Sequence, residues 1–581
     1  MQNMVRPRFI AFCIFLLASL QGFAQPSEKK YPSLLWEISG KGMPKPSYLY
    51  GTWHVSEKLA FNLSDTFYIA LSNSDMIAME LNPDIWLNEI KAMEDAQTEM
   101  EYLNTWHRPG NFYKRGFSLN IPDRKDLGHY LRSSPDVVNS MLYRTNKSKD
   151  DFEEDTYLDL YIFQAGKKLN KPVFGLEDFK QSRELVRRSE ECEDNNQDKE
   201  KRELYRLKLK ELEGDKSYSE TFENAYGNGD LDLLDSLYTL SGSKPCTRQY
   251  MLNERNIIMA RRMDSIMQHH SLFTGVGAAH LPGNAGVIEL LRCKGYTLRP
   301  VKATDGFNNK MVKKLEELRY PVQLTLHYTP DSALAVMVPG ALTELSASGA
   351  VKTYLYNDVS NGAYYYIQRV NYFGGINGES TEHMMSRVDS ILFENIPGKI
   401  LSRKTIHHKN GLPGFDIVNK TRRGDIQHQQ IFFSPDEIWF VKMSGTGNYV
   451  ENGKEAELFF NSIAFHPLTS AAVKAVRPPN AGYEVMLPAS ATLYQNTSPY
   501  ALQREIASSR DKEKNASYLL IASNLYDLNY IEEDTFELNF MSEVFARQLN
   551  YKIVSGKQTS LSHYPALDLV MQNDSNEHIY S

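Results

Sequence analysis

A short pattern occurs twice in this chain, each time in the same setting, and it constrains the fold more than any other feature. Gly51-Thr52-Trp53-His54 follows the apolar run Ser47-Tyr48-Leu49-Tyr50, and Gly277-Ala278-Ala279-His280 follows Leu272-Phe273-Thr274. After the first copy a helical pattern starts at Ser64, with Leu63 and Tyr68 spaced as a staple and Phe67, Ala70 and Leu71 facing inward. The apolar run Met76-Ile77-Ala78-Met79 comes next and ends in Glu80. The second copy repeats the plan: a loop from Gly275 to His280, a helix from Ala285 to Arg292 closed by Gly295, then Thr297 to Val301. Strand, histidine loop, helix and strand in that order predict an α/β (α+β) fold. Ligands in such sheets bind beyond the strand ends that feed helices. Two histidines far apart in the chain are therefore expected to meet in one site.

The residue types suit one chemistry. Neutral imidazole and carboxylate are ligands for a divalent transition metal such as Mn, Co, Zn or Fe, with the identity open. Such an ion polarises a carbonyl and lowers the pKa of a bound water. The sequence assigns His54, His280 and Glu80 as metal candidates, with Glu80 also a catalytic candidate. The motif glycines Gly51 and Gly277 are expected to let the backbone turn tightly and a substrate approach closely.

At these residues the chain resembles a known family. Leu34-Leu35-Trp36-Glu37-Ile38-Ser39-Gly40, Lys45 to Val55, Met79-Glu80-Leu81 and Gly277-Ala278-Ala279-His280-Leu281-Pro282-Gly283 are similar to the TraB/GumN family. That family includes the metal-dependent Tiki proteases and is related more distantly to erythromycin esterase-like and ChaN-like proteins. The resemblance runs from Tyr31 to near Val301 and implies His54 and His280 as the motif histidines and Glu80 as the motif acid. Trp53 departs from the pattern, standing where small or β-branched residues are common. The resemblance also places a Gly-Leu-Glu at Gly175-Leu176-Glu177, where Pro172 to Glu177 reads as another short strand ending in an acid. Glu177 is a candidate ligand or general base, or else a carboxylate near the start of a helix from Asp178 to Arg187. Arg255 lies on a helix whose apolar stripe holds Met251, Ile258, Met259 and Ile266. A guanidinium there needs a buried partner, so Arg255 is expected to bind substrate carboxylate, orient the metal-bound acid or form a structural ion pair.

The first residues read as an export signal: Arg6 and Arg8 precede the apolar run Phe9 to Leu20, and Gly22-Phe23-Ala24 predicts cleavage before Gln25. Cys13 lies inside that run and is not placed as a lipoprotein cysteine. No later stretch reaches the ~18 apolar residues of a membrane span, so an exported, soluble, periplasmic or extracellular protein with no transmembrane segment is expected. Cys192, Cys246 and Cys293 give neither a disulfide framework nor a cysteine zinc site, though one bridge between Cys192 and Cys246 is open. A net charge of −7 gives no basic surface for nucleic acid. The expected partner is a peptide or protein substrate.

The expected organisation is a signal peptide at 1–24, a TraB/GumN-like domain at 25–305 with a mainly helical insert at about 86–250, and α+β two-layer modules after it. The charged run from Arg187 to Glu203 reads as exposed helix or mobile loop, and the insert, with Trp106, as a lid over His54 and His280. In the module at 320–468, strands are expected at Val351–Tyr356, Ala363–Tyr372, Gln429–Phe433 and Glu437–Met443, with helices at Thr381–Glu394 and Gly453–Ile463. Ala335-Val336-Met337-Val338-Pro339 resembles Glu484 to Pro488, and Pro413 to Val418 resembles Pro565 to Val570, at nearly equal offsets. A partial repeat of the module is therefore expected at 480–581.

Three functions fit these readings. The first is an exported metal-dependent hydrolase, peptidase-like, with Glu177 and Arg255 assisting the paired histidines. The second is a non-catalytic protein of the same fold that sequesters a peptide or signal. The third is a haem or iron-binding protein, implied by the ChaN-like kinship.

Overall fold

The protein is described by a computed structural model covering residues 29–53, 63–85, 117–133, 158–191, 199–241, 245–302, 313–345, 350–421, 425–445, 449–466, 472–477, 482–488, 491–495, 504–523, 533–574 and 577–581, apart from 316 and 512. The export signal, His54 and Trp106 lie outside these residues. The described residues form two compact units, one made of residues up to 53, 63–81 and 174–302, the other of 82–173 and 313–581.

The first unit is built on a six-stranded sheet of order β4-β3-β5-β2-β1-β6. Its strands are β1 Leu35–Ser39, β2 Ser47–Thr52, β3 Met76–Met79, β4 Val173–Gly175, β5 Leu272–Gly277 and β6 Thr297–Pro300. β5 is central and parallel to β2 on one side and β3 on the other, and all six of its residues are buried. That is why it reads as an unbroken run of apolar and small residues rather than an alternating one. The strand continues through Gly275, Val276 and Gly277, where a loop was expected, because β2 supplies partners up to Thr52↔Gly277.

Helix α1, Asp65–Asn73, buries Phe67, Tyr68, Ala70 and Leu71 as the 3.6-residue spacing predicts. Phe67 meets Tyr50 of β2 and Phe273 of β5 edge to face, with ring centroids 4.9 and 5.2 Å away, and this fixes the helix over both strands. Ser64 precedes it without a side-chain cap; its hydroxyl pairs with that of Thr66.

The longer helices of this unit are α2 Phe179–Glu190, α3 Lys199–Glu213, α4 Tyr218–Gly227, α5 Leu231–Leu240, α6 Glu254–Met267 and α7 Val287–Cys293. α6 enters through one wide turn at Gln249–Asn253. Its buried stripe is Arg255, Asn256, Met259, Ala260, Met263 and Met267, so the helix is rotated from the expected face and leaves Ile258 and Ile266 only half-buried. α7 starts later than predicted because Gly286 is still extended. In the charged run, Arg187 is exposed and pairs with Glu184 and Glu191. Cys246 is disulfide-bonded, and Cys293 is the free cysteine among the described residues.

The second unit carries a seven-stranded antiparallel sheet of order β12-β13-β14-β15-β11-β10-β9. The strands up to this point are β7 Thr325–Tyr328, β8 Leu334–Val338, β9 Thr343–Leu345, β10 Val351–Asp358, β11 Ala363–Asn371, β12 Lys399–His407, β13 Pro413–Lys420, β14 Ile426–Phe433, β15 Glu437–Ser444 and β16 Ala464–Phe465. The helix expected over Thr381–Glu394 breaks into Thr381–Asp389 and Leu392–Asn395. A buried cluster on one face includes Tyr354, Tyr365, Trp439 and Phe459, and another includes Tyr372, Met384, Phe415 and Phe440. Lys442, central in β15, is buried and donates to the carbonyls of Tyr130, Leu131 and Ser133 at the end of the helix Arg124–Arg132, while burial pushes its ammonium down to about 7.

After β16 the order of elements starts again: β17 Val473–Val476, β18 Val485–Pro488, β19 Thr492–Gln495, β20 Arg504–Asp511, β21 Ala516–Ser523, a helix at Asp534–Gln548, then β22 Lys552–Leu561, β23 Tyr564–Gln572 and β24 His578–Tyr580. The pairings repeat as well as the order. Leu355↔Thr343 has its counterpart in Ser508↔Thr492, and Asp358↔Ala363 in Asp511↔Ala516. The bulge between Ile400 and Ser402 has its counterpart between Ile553 and Ser555.

Candidate functional site

Three parallel strands bring the chemistry to one edge of the first sheet. β2 ends at Thr52, β3 at Met79 and β5 at Gly277; Glu80 follows β3 directly, and His280 closes the single helical turn Ala278–His280 after β5. β4 adds its own end, where the Leu176 and Glu177 amides donate to the carbonyls of Met79 and Glu80 at 2.8 Å. The motif glycine Gly51 allows this convergence by its size. A β-carbon there would stand 3.2 Å from Ala278 and 3.3 Å from Leu281, both from the second motif. The expected tight turn is absent at Gly51, which lies in regular strand.

Arg255 is the hub of the polar groups. Its Nε and Nη2 engage both oxygens of Glu177 at 2.5–3.0 Å, and Nη2 also reaches Oε2 of Glu80 at 2.7 Å. The Glu177 side chain is 1% exposed and that of Arg255 9%. Burial pushes the Glu177 carboxyl above the ordinary glutamate value, against the pull of Arg255. Burial opposes the Arg255 charge too, but Glu80 and Glu177 more than offset it and hold the guanidinium above the ordinary arginine value.

The other Glu80 oxygen, Oε1, accepts from the Gly277 amide at 2.7 Å and lies 3.7 Å from Nε2 of His280. His280 is 4% exposed, and its Nδ1 is 2.6 Å from Oδ1 of Asn256. Glu80, Glu177, Arg255, His280 and Gly277 are thus brought together. His54 lies outside the described residues; the residue before it, Trp53, packs on Phe222 and Tyr226 of α4, and the Tyr226 hydroxyl donates to Gly51 O. Among the described residues no group of three His, Cys, Asp or Glu is placed to share an ion.

The donor set is compatible with a divalent cation. An imidazole nitrogen and a carboxylate oxygen face one another, and both are of the type that ligates such an ion. Sequence reasoning missed Asn256 and the Gly277 amide. The stripe that singled out Arg255 also carries Asn256, so the same burial argument could have found it.

An α/β domain with an acid, a histidine and a buried arginine at the carboxyl edge of its parallel strands is the class that fold and site define. Residues 34–300 match the model of the TraB/PrgY/gumN family. The chain is similar to metalloprotease TIKI2 of Danio rerio, 22% identical over 329 residues that cover 46% of this chain and 61% of the relative. It therefore spans about three fifths of that relative's length. A crystal structure from Bacteroides thetaiotaomicron is 10% identical, is matched over 43% of this chain and 87% of that one, and superposes with a TM-score of 0.14. Among the described residues no helix is long and apolar enough to cross a membrane.

Proposed function

We propose that the first unit is an exported metal-dependent hydrolase, peptidase-like, with a peptide or protein substrate. The observation that carries this reading is the approach of His280 Nε2 to Glu80 Oε1 inside a buried polar cluster. The likeness to a protein named a metalloprotease supports it. His280 and Glu80 would hold the ion together with His54. The bound metal supplies a Lewis acid for a carbonyl and a water of lowered pKa.

The chain's own groups do the rest. The Gly277 amide and Arg255 each hold one oxygen of Glu80, which fixes the carboxylate plane. Glu177, with both oxygens on Arg255, keeps the guanidinium in place and acts as a positioning residue, not as a ligand or base.

Elemental analysis of the full chain, stripped of metal and reloaded, tests the reading beside His54→Ala, His280→Ala and Glu80→Gln, with peptide cleavage measured on the same samples. About one equivalent of a transition metal in the wild type is expected, and each substitution is expected to abolish both metal and cleavage. Ligand binding that survives loss of both histidines would replace this reading with a sequestering protein, and a Soret band on adding haem would replace it with a haem protein.

A further inference from the structure

Asn256 follows Arg255 on α6, is 2% exposed and carries no charge to explain its burial. Its Nδ2 donates to the carbonyl of Ala285 at 2.8 Å, and its Oδ1 lies 2.6 Å from Nδ1 of His280. The two contacts fix each other. Turning the amide over would set its oxygen against the Ala285 carbonyl, acceptor against acceptor, so the oxygen must face the histidine. A carboxamide oxygen only accepts, and the proton between the two residues therefore belongs to Nδ1 of His280.

We propose that Asn256 is a positioning residue that holds a proton on Nδ1 of His280, so that in the neutral ring the lone pair lies on Nε2, the nitrogen on the Glu80 side. In a neutral imidazole one nitrogen carries the proton and the other the lone pair, and the partner of the first decides which is which. Nε2 is the atom 3.7 Å from Glu80 Oε1. Arg255 and Asn256, adjacent on one helix, thus divide the work: the first orients the acid, the second the imidazole. What the lone pair serves rests on the metal-site reading; the tautomer does not.

A cavity of about 250 Å³ adjoins Asn256, lined by Arg248, Leu252, Asn253 and Ala279 among others, and by neither Glu80 nor His280. Water there could replace a shortened side chain and donate or accept at Nδ1, so leucine, which fills the space without a polar group, is the informative substitution.

The test is long-range proton–nitrogen NMR of the full-length, metal-free protein labelled with 15N-histidine, with His280 assigned by His280→Gln. The wild type is expected to show the Nδ1–H signature, Asn256→Asp to keep it through its carboxylate, and Asn256→Leu to lose it and to bind metal roughly 10–100-fold more weakly. An Nδ1 without its proton in the wild type, or an unchanged Nδ1–H signature in Asn256→Leu, overturns the proposal. If Asn256→Leu does not fold, the wild-type signature still decides. An Nδ1–H wild type that binds no metal removes the hydrolase reading and leaves the role of Asn256 standing.

Discussion

Arg255 answers to two carboxylates at once, and its substitution separates a structural ion pair from an orienting one. Glu177 is the more deeply buried of the two and takes both Nε and Nη2, while Glu80 takes a single bond from Nη2. Removing the guanidinium leaves Glu177 sealed in an apolar site, its carboxyl already raised by burial and now without its main compensation. Arg255→Met is therefore expected to cost about 3–5 kcal/mol in the unfolding of the first unit, measured by denaturant titration. Adding Glu177→Gln should recover a large part of that loss, because the group left unpaired is then neutral. A double variant no more stable than Arg255→Met would show that the pair is not what Arg255 supports. Lysine is a poor substitute, since one ammonium cannot reproduce the two-pronged contact with Glu177 while reaching Glu80.

At the scale of elements the two motif regions meet through small residues, and Gly51 and Gly286 differ in what blocks a side chain. At Gly51 a β-carbon would press on Ala278 and on the end of the Leu281 side chain at 3.2–3.3 Å, and a few tenths of an ångström of movement relieve it. At Gly286, before α7, it would lie 2.1 and 2.4 Å from the carbonyl oxygens of Pro282 and Leu281, which are backbone and have nowhere to go. Gly51→Ala is expected to cost about 1–3 kcal/mol, within the range for overpacking, and Gly286→Ala more, with the ranking checked by thermal unfolding. An equal or reversed order would mean that the β2–β5 contact is stiffer than the turn before α7. These elements were legible in the sequence because β2, β3 and β5 are buried and read as apolar runs. The hairpin of β12 and β13 was not: Lys399–His407 is an edge strand without one consistently buried face, so its charges hide the period of two. At the site, Glu80, Arg255 and His280 stood out as charged or polar groups at strand ends or on an apolar stripe. Asn256 brought no charge to betray it, and the pairing of Arg255 with Glu177 and Glu80 joins segments that only the folded sheet brings together.

On the scale of the whole molecule, the two units have separate stabilising devices, so they can be perturbed one at a time. In the second unit Asp331 receives Arg369 at 2.8 Å and Lys352 at 3.2 Å, and Arg369 goes on to Glu437 of β15 and Thr492 of β19, tying the first set of elements to the second. Burial alone would raise the Asp331 carboxyl, but Arg369 and Lys352 prevail and hold it at about 2, against 3.8 for an ordinary aspartate. A depressed pKa stabilises the fold above the unfolded value, so the contribution, about 2 kcal/mol, is complete above roughly pH 5 and lost as pH falls toward 2. Asp331→Asn should therefore destabilise the second unit at pH 7, and the deficit against wild type should shrink to nothing near pH 2. On the proposed metal-site reading a bound ion would act on the first unit instead, adding about 2.7 kcal/mol at a hundred times its Kd. Calorimetry of the full chain at pH 7 is expected to show one transition raised by metal and untouched by Asp331→Asn, and another lowered by Asp331→Asn and indifferent to metal. A single transition moved by both would mean that the units unfold as one.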